Sequence, residues 1–417
     1  MIERTVTAHR RTGRTGGGRK MAGMPARELR PLPVPAGPQA TTVLPALRRA
    51  LDGDGPALLP VAPDGDAAIV EAMGADVPLR PGEDDPSNPT ALVIATSGST
   101  GTPKGVLLPA AALRASAEAT HRRLGGPGHW LLAMPAHHVA GIQVLVRALL
   151  AGTPLEAVDA AAGFRPDRFA TAARRSLAAP GRHYTALVPT QLRRLLDDAA
   201  GVAALREFDA VLLGGAATPP VLREQAAAAG VRVVTTYGMS ETAGGCVYDG
   251  VPLDGVRLHV EAAEDGSGPV ALAGPTLARG YRAQEAASAF RDGWFHTGDL
   301  GRVDGGRLEI LGRADDVIIT GGVNVAPVLV ERVLTEHPGV REACVLGIDD
   351  PEWGQAVVAV VVPADPSAPP PVAELRTSVR DRAGAASTPK RIEFVAELPL
   401  RGPGKPDRRS LRATLTR

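Results

Sequence analysis

Ala91-Leu-Val-Ile-Ala-Thr-Ser-Gly-Ser-Thr-Gly-Thr-Pro-Lys-Gly105 is the stretch on which the reading of this chain turns. Its first five residues are uninterrupted and apolar, the pattern of a buried strand bounded by turn residues. The next ten hold five hydroxyl side chains, three glycines and one lysine. Glycine lets backbone N–H groups turn toward an anion, the hydroxyls add donors, and Lys104 adds positive charge. A strand running into such a loop reads as a phosphate cradle; a flexible Ser/Gly linker would need neither the strand nor the closing Pro-Lys-Gly. It is not a Walker A loop, because Pro103 stands where a glycine would precede the lysine and Gly105 replaces the Ser or Thr.

On either side of this segment, from residue 40 to 312, strand-like runs alternate with Ala/Leu-rich helical stretches. The strands are Ala91–Ala95, Leu131–Met134, Thr185–Val188, Ala210–Leu213 and Arg232–Thr235; Ala110–Leu124 and Thr190–Ala199 read as helices. That alternation predicts α/β architecture with a largely parallel sheet. After Gly312 the texture changes. Pro327 can open a helix, and Val330, Val333, Leu334 and His337 recur at helical spacing before Pro338-Gly339 stops it. Strands Ala343–Ile348 and Ala356–Val362, a helix Val372–Ala383 and a strand Ile392–Val395 follow. The fold expected is a large N-terminal α/β domain over residues 31–312 and a small C-terminal α+β domain over 313–417.

Composition narrows the class. The 48 glycines and 38 prolines in 417 residues exclude a helical bundle or coiled coil. A net charge of +1 gives no reason to expect nucleic acid or an anionic membrane as partner. The two cysteines, Cys246 and Cys344, form no framework and no metal spacing, which fits a cytoplasmic setting. No apolar run approaches the roughly 20 residues of a membrane span. Residues 1–30 read as an extension whose Arg-rich start, poor in acids, is open to two readings, a transit peptide or a disordered tail. Only four of the 46 basic residues are lysines: Lys20, Lys104, Lys390 and Lys405. Where an arginine-favouring chain keeps lysine, either geometry demands the compact charge or chance placed it.

The phosphate loop resembles the signature loop of the ATP-dependent adenylate-forming superfamily, which includes acyl- and aryl-CoA synthetases, peptide-synthetase adenylation domains and luciferases. Four further segments resemble its motifs in order: Tyr237-Gly-Met-Ser-Glu-Thr242, Trp294-Phe-His-Thr-Gly-Asp299, Gly312-Arg-Ala-Asp-Asp-Val-Ile-Ile-Thr-Gly-Gly-Val-Asn324 and Gly404-Lys-Pro-Asp-Arg408. Within the superfamily, Met134-Pro-Ala-His-His-Val-Ala-Gly141 and Leu187-Val-Pro-Thr-Gln-Leu-Arg-Arg-Leu-Leu196 resemble the o-succinylbenzoate–CoA ligases of menaquinone synthesis. The short segment ahead of the phosphate loop resembles their short form, with a trimmed first subdomain.

The resemblance implies a two-step reaction using ATP, Mg²⁺ and CoA: a carboxylate attacks the α-phosphorus to give an acyl-adenylate, then a thiol displaces AMP. It implies that Thr96, Ser97, Gly98, Ser99, Thr100, Gly101 and Lys104 hold the β- and γ-phosphates, that Glu241 holds Mg²⁺, and that Thr242 contacts the α-phosphate. Gly214, Gly215 and Ala216 would leave room for the purine and Tyr237 would stack on it, beside Gly238. Asp299 would accept the ribose hydroxyls and Arg313 would add a donor. Lys405 would reach the α-phosphate and the acyl carboxylate. Asp315 matches the hinge about which the small domain rotates, and Gly321 and Gly322 the pantetheine tunnel.

For the acid, His138 falls where amino-acid-activating members carry an Asp for the substrate ammonium, which disfavours amino acids and suggests a pocket wall. The second carboxylate of o-succinylbenzoate needs a cation or donors. Gln191 is a candidate together with Gly238, and Arg193 and Arg194 are either donors or the solvated face of their helix. Other aryl- or acyl-CoA ligases, a stand-alone adenylation enzyme loading a carrier protein, and a nucleotide-binding regulator are the competing expectations, and homo-oligomerisation stays open.

Overall fold

The structure, a computed structural model, describes residues 26–75, 77–97, 103–161, 163–264, 266–282, 289–400 and 405–415. Of the extension expected over residues 1–30, the first 25 lie outside them. The last five are a correction: Leu29 is buried in a strand, Leu29–Pro33, paired with Ala57–Val61, and the Arg27 and Glu28 carbonyls accept from Leu79 and Ala57 N–H, so the large domain includes them.

Two mixed sheets form the large domain. The first runs in the order Leu29–Pro33, Ala57–Val61, Thr90–Ser97, Pro103–Pro109, Gly280–Arg282, with the first three strands parallel and the last two antiparallel. The second has seven strands in the order Val251–Pro252, Gly244–Tyr248, Val233–Met239, Ala210–Leu213, His183–Leu187, His129–Leu132, Leu155–Ala157. The last five of these are parallel.

Between the sheets lie the helices Ala110–Leu124 and Val139–Ala151. The second is buried continuously from Gly141 to Ala148, so its apolar residues surround the helix instead of forming one stripe, with Gln143 and Arg147 as buried polar exceptions. Leu92, Ile94, Leu113, Trp130, Ile142, Leu145 and Tyr184 belong to this core and are at most 1% exposed. Each fully buried large aliphatic side chain contributes about 1.5–3 kcal/mol relative to exposure. The outer face of the second sheet is covered by helices that bring in Phe169, Leu192, Leu205 and Leu222.

Two expectations need correction here. A single largely parallel sheet does not extend to residue 312: the parallel strands are divided between two sheets, and from Gly244 onward the strands of the large domain pair antiparallel. The cause is local. Asp249-Gly250 and Asp292-Gly293 both have positive φ at each residue, the backbone that Asp-Gly adopts in tight hairpins. Gly305 and Gly306, also at positive φ, close a third. The helix expected over Thr190–Ala199 is instead two, Pro189–Leu196 and Ala199–Arg206. The break falls where the Asp198 side chain accepts from Gly201 N–H at 2.7 Å and caps the second helix.

The antiparallel third sheet contains Arg257–Val260, Ser267–Ala273, Trp294–Asp304, Phe290–Arg291 and Arg307–Arg313. A short 3-10 turn, Ala314–Asp316, then leads into the fourth sheet, built from Val323–Val325, Ile318–Thr320, Gly354–Pro363, Val340–Asp350 and Arg391–Phe394. Helices Pro327–Thr335 and Val372–Ala383 cover one face of it, with Val330, Leu334, Leu375 and Val379 in the core. Arg408–Leu415 packs Leu411 on the other face. Among the described residues no helix is long and apolar enough to cross a membrane.

Candidate active site

Four of the quoted segments leave the carboxyl ends of adjacent parallel strands. His129–Leu132 leads to Ala133 through His138, His183–Leu187 to Pro189 through Gln191, Ala210–Leu213 to Gly214 through Ala216, and Val233–Met239 to the 3-10 turn Ser240–Thr242. These strands are neighbours in the second sheet, so segments far apart in sequence share one edge. Ligands of open α/β sheets bind at that edge.

The phosphate-loop hairpin is tied to this edge through a residue that the sequence reading did not name. Thr96 and Lys104 are cross-strand partners, and Thr96 Oγ1 donates to the Lys104 carbonyl at 3.3 Å. The Lys104 ammonium lies over the Tyr281 ring, 5.2 Å from its centroid. Tyr281 Oη in turn donates to Glu241 Oε1 at 2.9 Å. Burial, with the Glu241 carboxylate alongside, raises the Tyr281 hydroxyl above its ordinary value, so it stays a donor. Gly98, Ser99, Thr100 and Gly101, and the Ser97 side chain, lie outside the described residues.

Glu241 is held from its backbone as well, since its carbonyl accepts from Ala278 N–H at 2.8 Å. Thr242 is fully buried. Its hydroxyl accepts from Met239 N–H at 2.9 Å and has its single hydrogen within reach of the Gly244 carbonyl at 2.7 Å and the Met239 carbonyl at 3.1 Å, which closes the turn. No described residue hydrogen-bonds the Ser240 hydroxyl, two positions earlier on the same turn. Gly238 is required by backbone approach: a Cβ there would stand 2.2 Å from the Gly244 carbonyl oxygen. Gly214 is similarly tight, with Thr236 Oγ1 at 2.3 Å from its would-be Cβ, whereas Gly215 has φ +84°.

A second cluster adjoins the first. Tyr237 Oη donates to Asp299 Oδ2 at 2.6 Å. Asp299 is only 8% exposed. Its strand partner Arg313 donates Nη1 to Asp299 Oδ1 at 3.4 Å and to the Thr297 carbonyl at 2.9 Å, and Nε to Asp315 Oδ1 at 3.0 Å. Burial raises the Asp299 carboxyl above its ordinary value, opposed by Tyr237, Arg313 and Lys405. Lys405 also acts on His138, whose imidazole is brought down to about 4 by burial first, then by His137 and Lys405. Asp299 lies on a strand of the third sheet, and His138 is the residue that precedes helix Val139–Ala151.

Arg408, which closes the Gly404–Arg408 motif but to which the resemblance assigns no role, anchors the Lys405 segment. It donates Nη2 to Glu331 at 2.7 Å and Nη1 to the Val345 carbonyl, and its Nε lies 3.6 Å from Asp316. Gln191 uses its amide structurally: Oε1 accepts from Val188 N–H at 3.0 Å and Nε2 donates to the Ala133 carbonyl at 2.7 Å. It joins two of the strand-end loops and has one amide hydrogen left. Burial lowers the Arg193 guanidinium below its ordinary value, opposed by the small domain's Glu342 and by Asp197. Arg194 is exposed. Gly321 and Gly322, with φ 56° and 79°, form an exposed hairpin tip. Gly321 N–H donates to the Trp353 carbonyl at 2.8 Å, and no described contact joins the pair to Glu241 or Asp299.

The AMP-binding enzyme family model matches residues 39–282, and the AMP-binding enzyme C-terminal domain model matches 329–405. The probable 2-succinylbenzoate–CoA ligase of Mycobacterium tuberculosis is 48% identical over 387 residues, covering 92% of this chain and 97% of that protein. The 2-succinylbenzoate–CoA ligase of Geobacillus kaustophilus is 34% identical, over 88% of this chain and 76% of that one. Among solved structures, the amide bond synthetase McbA from Marinactinospora thermotolerans matches with a TM-score of 0.79 at 28% identity, covering 94% and 90% of the two chains. The o-succinylbenzoate coenzyme A synthetase MenE from Bacillus subtilis, in complex with AMP, matches with a TM-score of 0.68 at 28% identity, covering 79% and 69%.

Proposed function

The chain belongs to the AMP-binding enzyme family, which matches its large and its small domain alike, and from that premise we propose that it is the cytoplasmic 2-succinylbenzoate–CoA ligase of menaquinone biosynthesis, using ATP, Mg²⁺ and CoA. The observation that carries the reading is geometric: the Lys104–Tyr281–Glu241 chain and the Tyr237–Asp299–Arg313 cluster are built, Tyr281 apart, from segments that carry the family's motifs.

The first half-reaction brings a carboxylate to a triphosphate, so donors and cations must offset the repulsion. In this reading Thr96, Lys104 and the loop between them bind the β- and γ-phosphates. Asp299, backed by Tyr237 and Arg313, accepts the ribose hydroxyls, and Tyr237 presents its ring to the purine beside Gly214–Ala216. Lys405 bridges the α-phosphate and the substrate carboxylate, where charge develops in the transition state.

The donor set fits Mg²⁺. Glu241 has one carboxylate oxygen engaged by Tyr281 and the other without a described partner. Among the described residues no group of three or more His, Cys, Asp or Glu could hold a metal, and Mg²⁺ needs no more than one or two carboxylates when phosphates complete its shell. When bound, the ion neutralises charge on the phosphate oxygens. Glu241 supplies its protein ligand, aimed by Tyr281.

The second half requires the CoA thiol to displace AMP. Rotation of the small domain about Asp315 would withdraw Lys405 and bring the Gly321-Gly322 tip toward the acyl group. His138, uncharged at neutral pH, offers no countercharge to an amino-acid ammonium and suits the wall of an aryl pocket.

The test is acid-dependent ATP–pyrophosphate exchange, followed by CoA-dependent thioester formation, with 2-succinylbenzoate against benzoate, octanoate and amino acids. The expected result is preference for 2-succinylbenzoate in both halves. Exchange with none of these acids, or faster thioester formation with another, would refute the assignment.

A further inference from the structure

The turn carrying Glu241 ends on a strained residue. Ala243 has φ 50° and ψ 40°, in the left-handed region. The other described non-glycine residues with positive φ are Asp249 and Asp292, and a short polar side chain of that kind can hydrogen-bond locally to offset the cost. Alanine has no such means. Ala243 is fully buried, and its carbonyl receives two donors from two different helices. Ser116 Oγ reaches it at 3.0 Å from Ala110–Leu124, and Gln143 Nε2 at 2.7 Å from Val139–Ala151. Both donor residues are fully buried as well. Gln143 sits there with its own Oε1 buried and unpaired, an arrangement that costs free energy unless the other end of the amide is needed.

We propose that Gln143 and Ser116 are positioning residues for Glu241, an inference that rests on Glu241 serving the metal–phosphate end of the nucleotide. By gripping the Ala243 carbonyl they hold the left-handed link. That link fixes the turn Ser240–Thr242 against the two central helices. Thr242 locks the same turn from within through Met239 and Gly244, and Tyr281 steadies the carboxylate from outside. Strain over-determined by its surroundings and placed next to a functional side chain is a known form of pre-organisation.

Gln143→Leu removes the donor at similar volume, and Ser116→Ala removes a single oxygen. Calorimetric titration of each variant with magnesium–ATP, and separately with AMP, reads the placement of Glu241 without turnover, because AMP lacks the pyrophosphate that the metal bridges. One net buried hydrogen bond corresponds to about fivefold in affinity. Magnesium–ATP should therefore bind about fivefold more weakly to each variant while AMP binding changes by less than about twofold. Ala243→Gly removes the left-handed cost, and added to Gln143→Leu it should recover most of the lost affinity. Equal weakening toward both nucleotides, or no weakening toward magnesium–ATP, overturns the proposal. If Gln143→Leu yields no folded protein, Ser116→Ala decides alone. Wild-type protein that binds neither nucleotide would refute the ligase reading itself, so the two failures are distinguishable.

Discussion

Replacing Asp299 by asparagine should separate nucleotide binding from stability. The ionised carboxylate has about four acceptor positions, of which Tyr237 and Arg313 occupy two. Two remain, one for each ribose hydroxyl. Asparagine has a single oxygen with two positions. With that oxygen toward Tyr237 one position is left, and the NH2 replaces the oxygen that accepted from Arg313 and one ribose hydroxyl, so one ribose bond is lost together with the Arg313 contact. A hydrogen bond to a charged acceptor is worth about 1.5–3 kcal/mol, and AMP should therefore bind roughly 10- to 150-fold more weakly. Stability should move differently. Burial raises the folded carboxyl above its ordinary 3.8 despite Tyr237, Arg313 and Lys405. Folding therefore takes up protons between the unfolded and folded values, and this group's contribution to stability falls as pH rises through that interval. At neutral pH the buried charge is a net cost, which asparagine removes. The unfolding free energy of Asp299→Asn at pH 7 should stay within about 1 kcal/mol of wild type, and the pH dependence above 3.8 should flatten. Titration calorimetry with AMP and urea unfolding at pH 5 and 7 measure both. Unchanged AMP affinity, or a stability loss above about 3 kcal/mol, would show that the charge serves the fold and not the nucleotide.

Other outcomes follow from the same geometry. Lys405→Ala should slow pyrophosphate exchange by about 10²–10³ while thioester formation from supplied acyl-adenylate stays near wild type; equal loss in both halves would contradict its role. Arg408→Met strips the mostly buried Glu331 of its cation and should cost about 3 kcal/mol in urea unfolding, with partial recovery on adding Glu331→Leu. Gly238→Ala should destabilise by about 3 kcal/mol or more, because its Cβ would meet backbone at 2.2 Å. Gly322→Ala, with nothing within 4 Å but φ +79°, should cost only about 1 kcal/mol by the same unfolding assay.

The phosphate loop was legible because its chemistry is local: glycines, hydroxyls and a lysine within ten residues specify an anion cradle wherever the strand happens to lie. The helix Ala110–Leu124, the strand Ala210–Leu213 and the small-domain helix Val372–Ala383 also followed from local pattern, with their bounds as observed. The division into separate sheets did not, although the Asp-Gly turns of the late antiparallel hairpins were present to be read. Gln191 looked like a donor for a substrate carboxylate, and only the observed contacts show its amide joining two loops.

The hydroxyl choice on the Glu241 turn marks the boundary. Ser240 and Thr242 are chemically alike and two residues apart, so no sequence pattern tells which hydroxyl the turn will use. The turn decides by consuming the Thr242 hydroxyl on Met239 and Gly244. Tyr281 and Gln143 likewise have unremarkable neighbours in the chain, and their partners Glu241 and Ala243 stand 40 and 100 positions away; Arg408 closes a quoted motif, but its partner Glu331 lies 77 positions away and outside it. The chain alone determined which chemical groups are available and which short segments carry them, since propensity and glycine placement act over a few residues. Which groups meet, which are spent on the backbone and which stay free to meet a ligand was decided by the packing of four sheets, because hydrogen bonding and desolvation depend on distances that exist only after the chain has closed on itself.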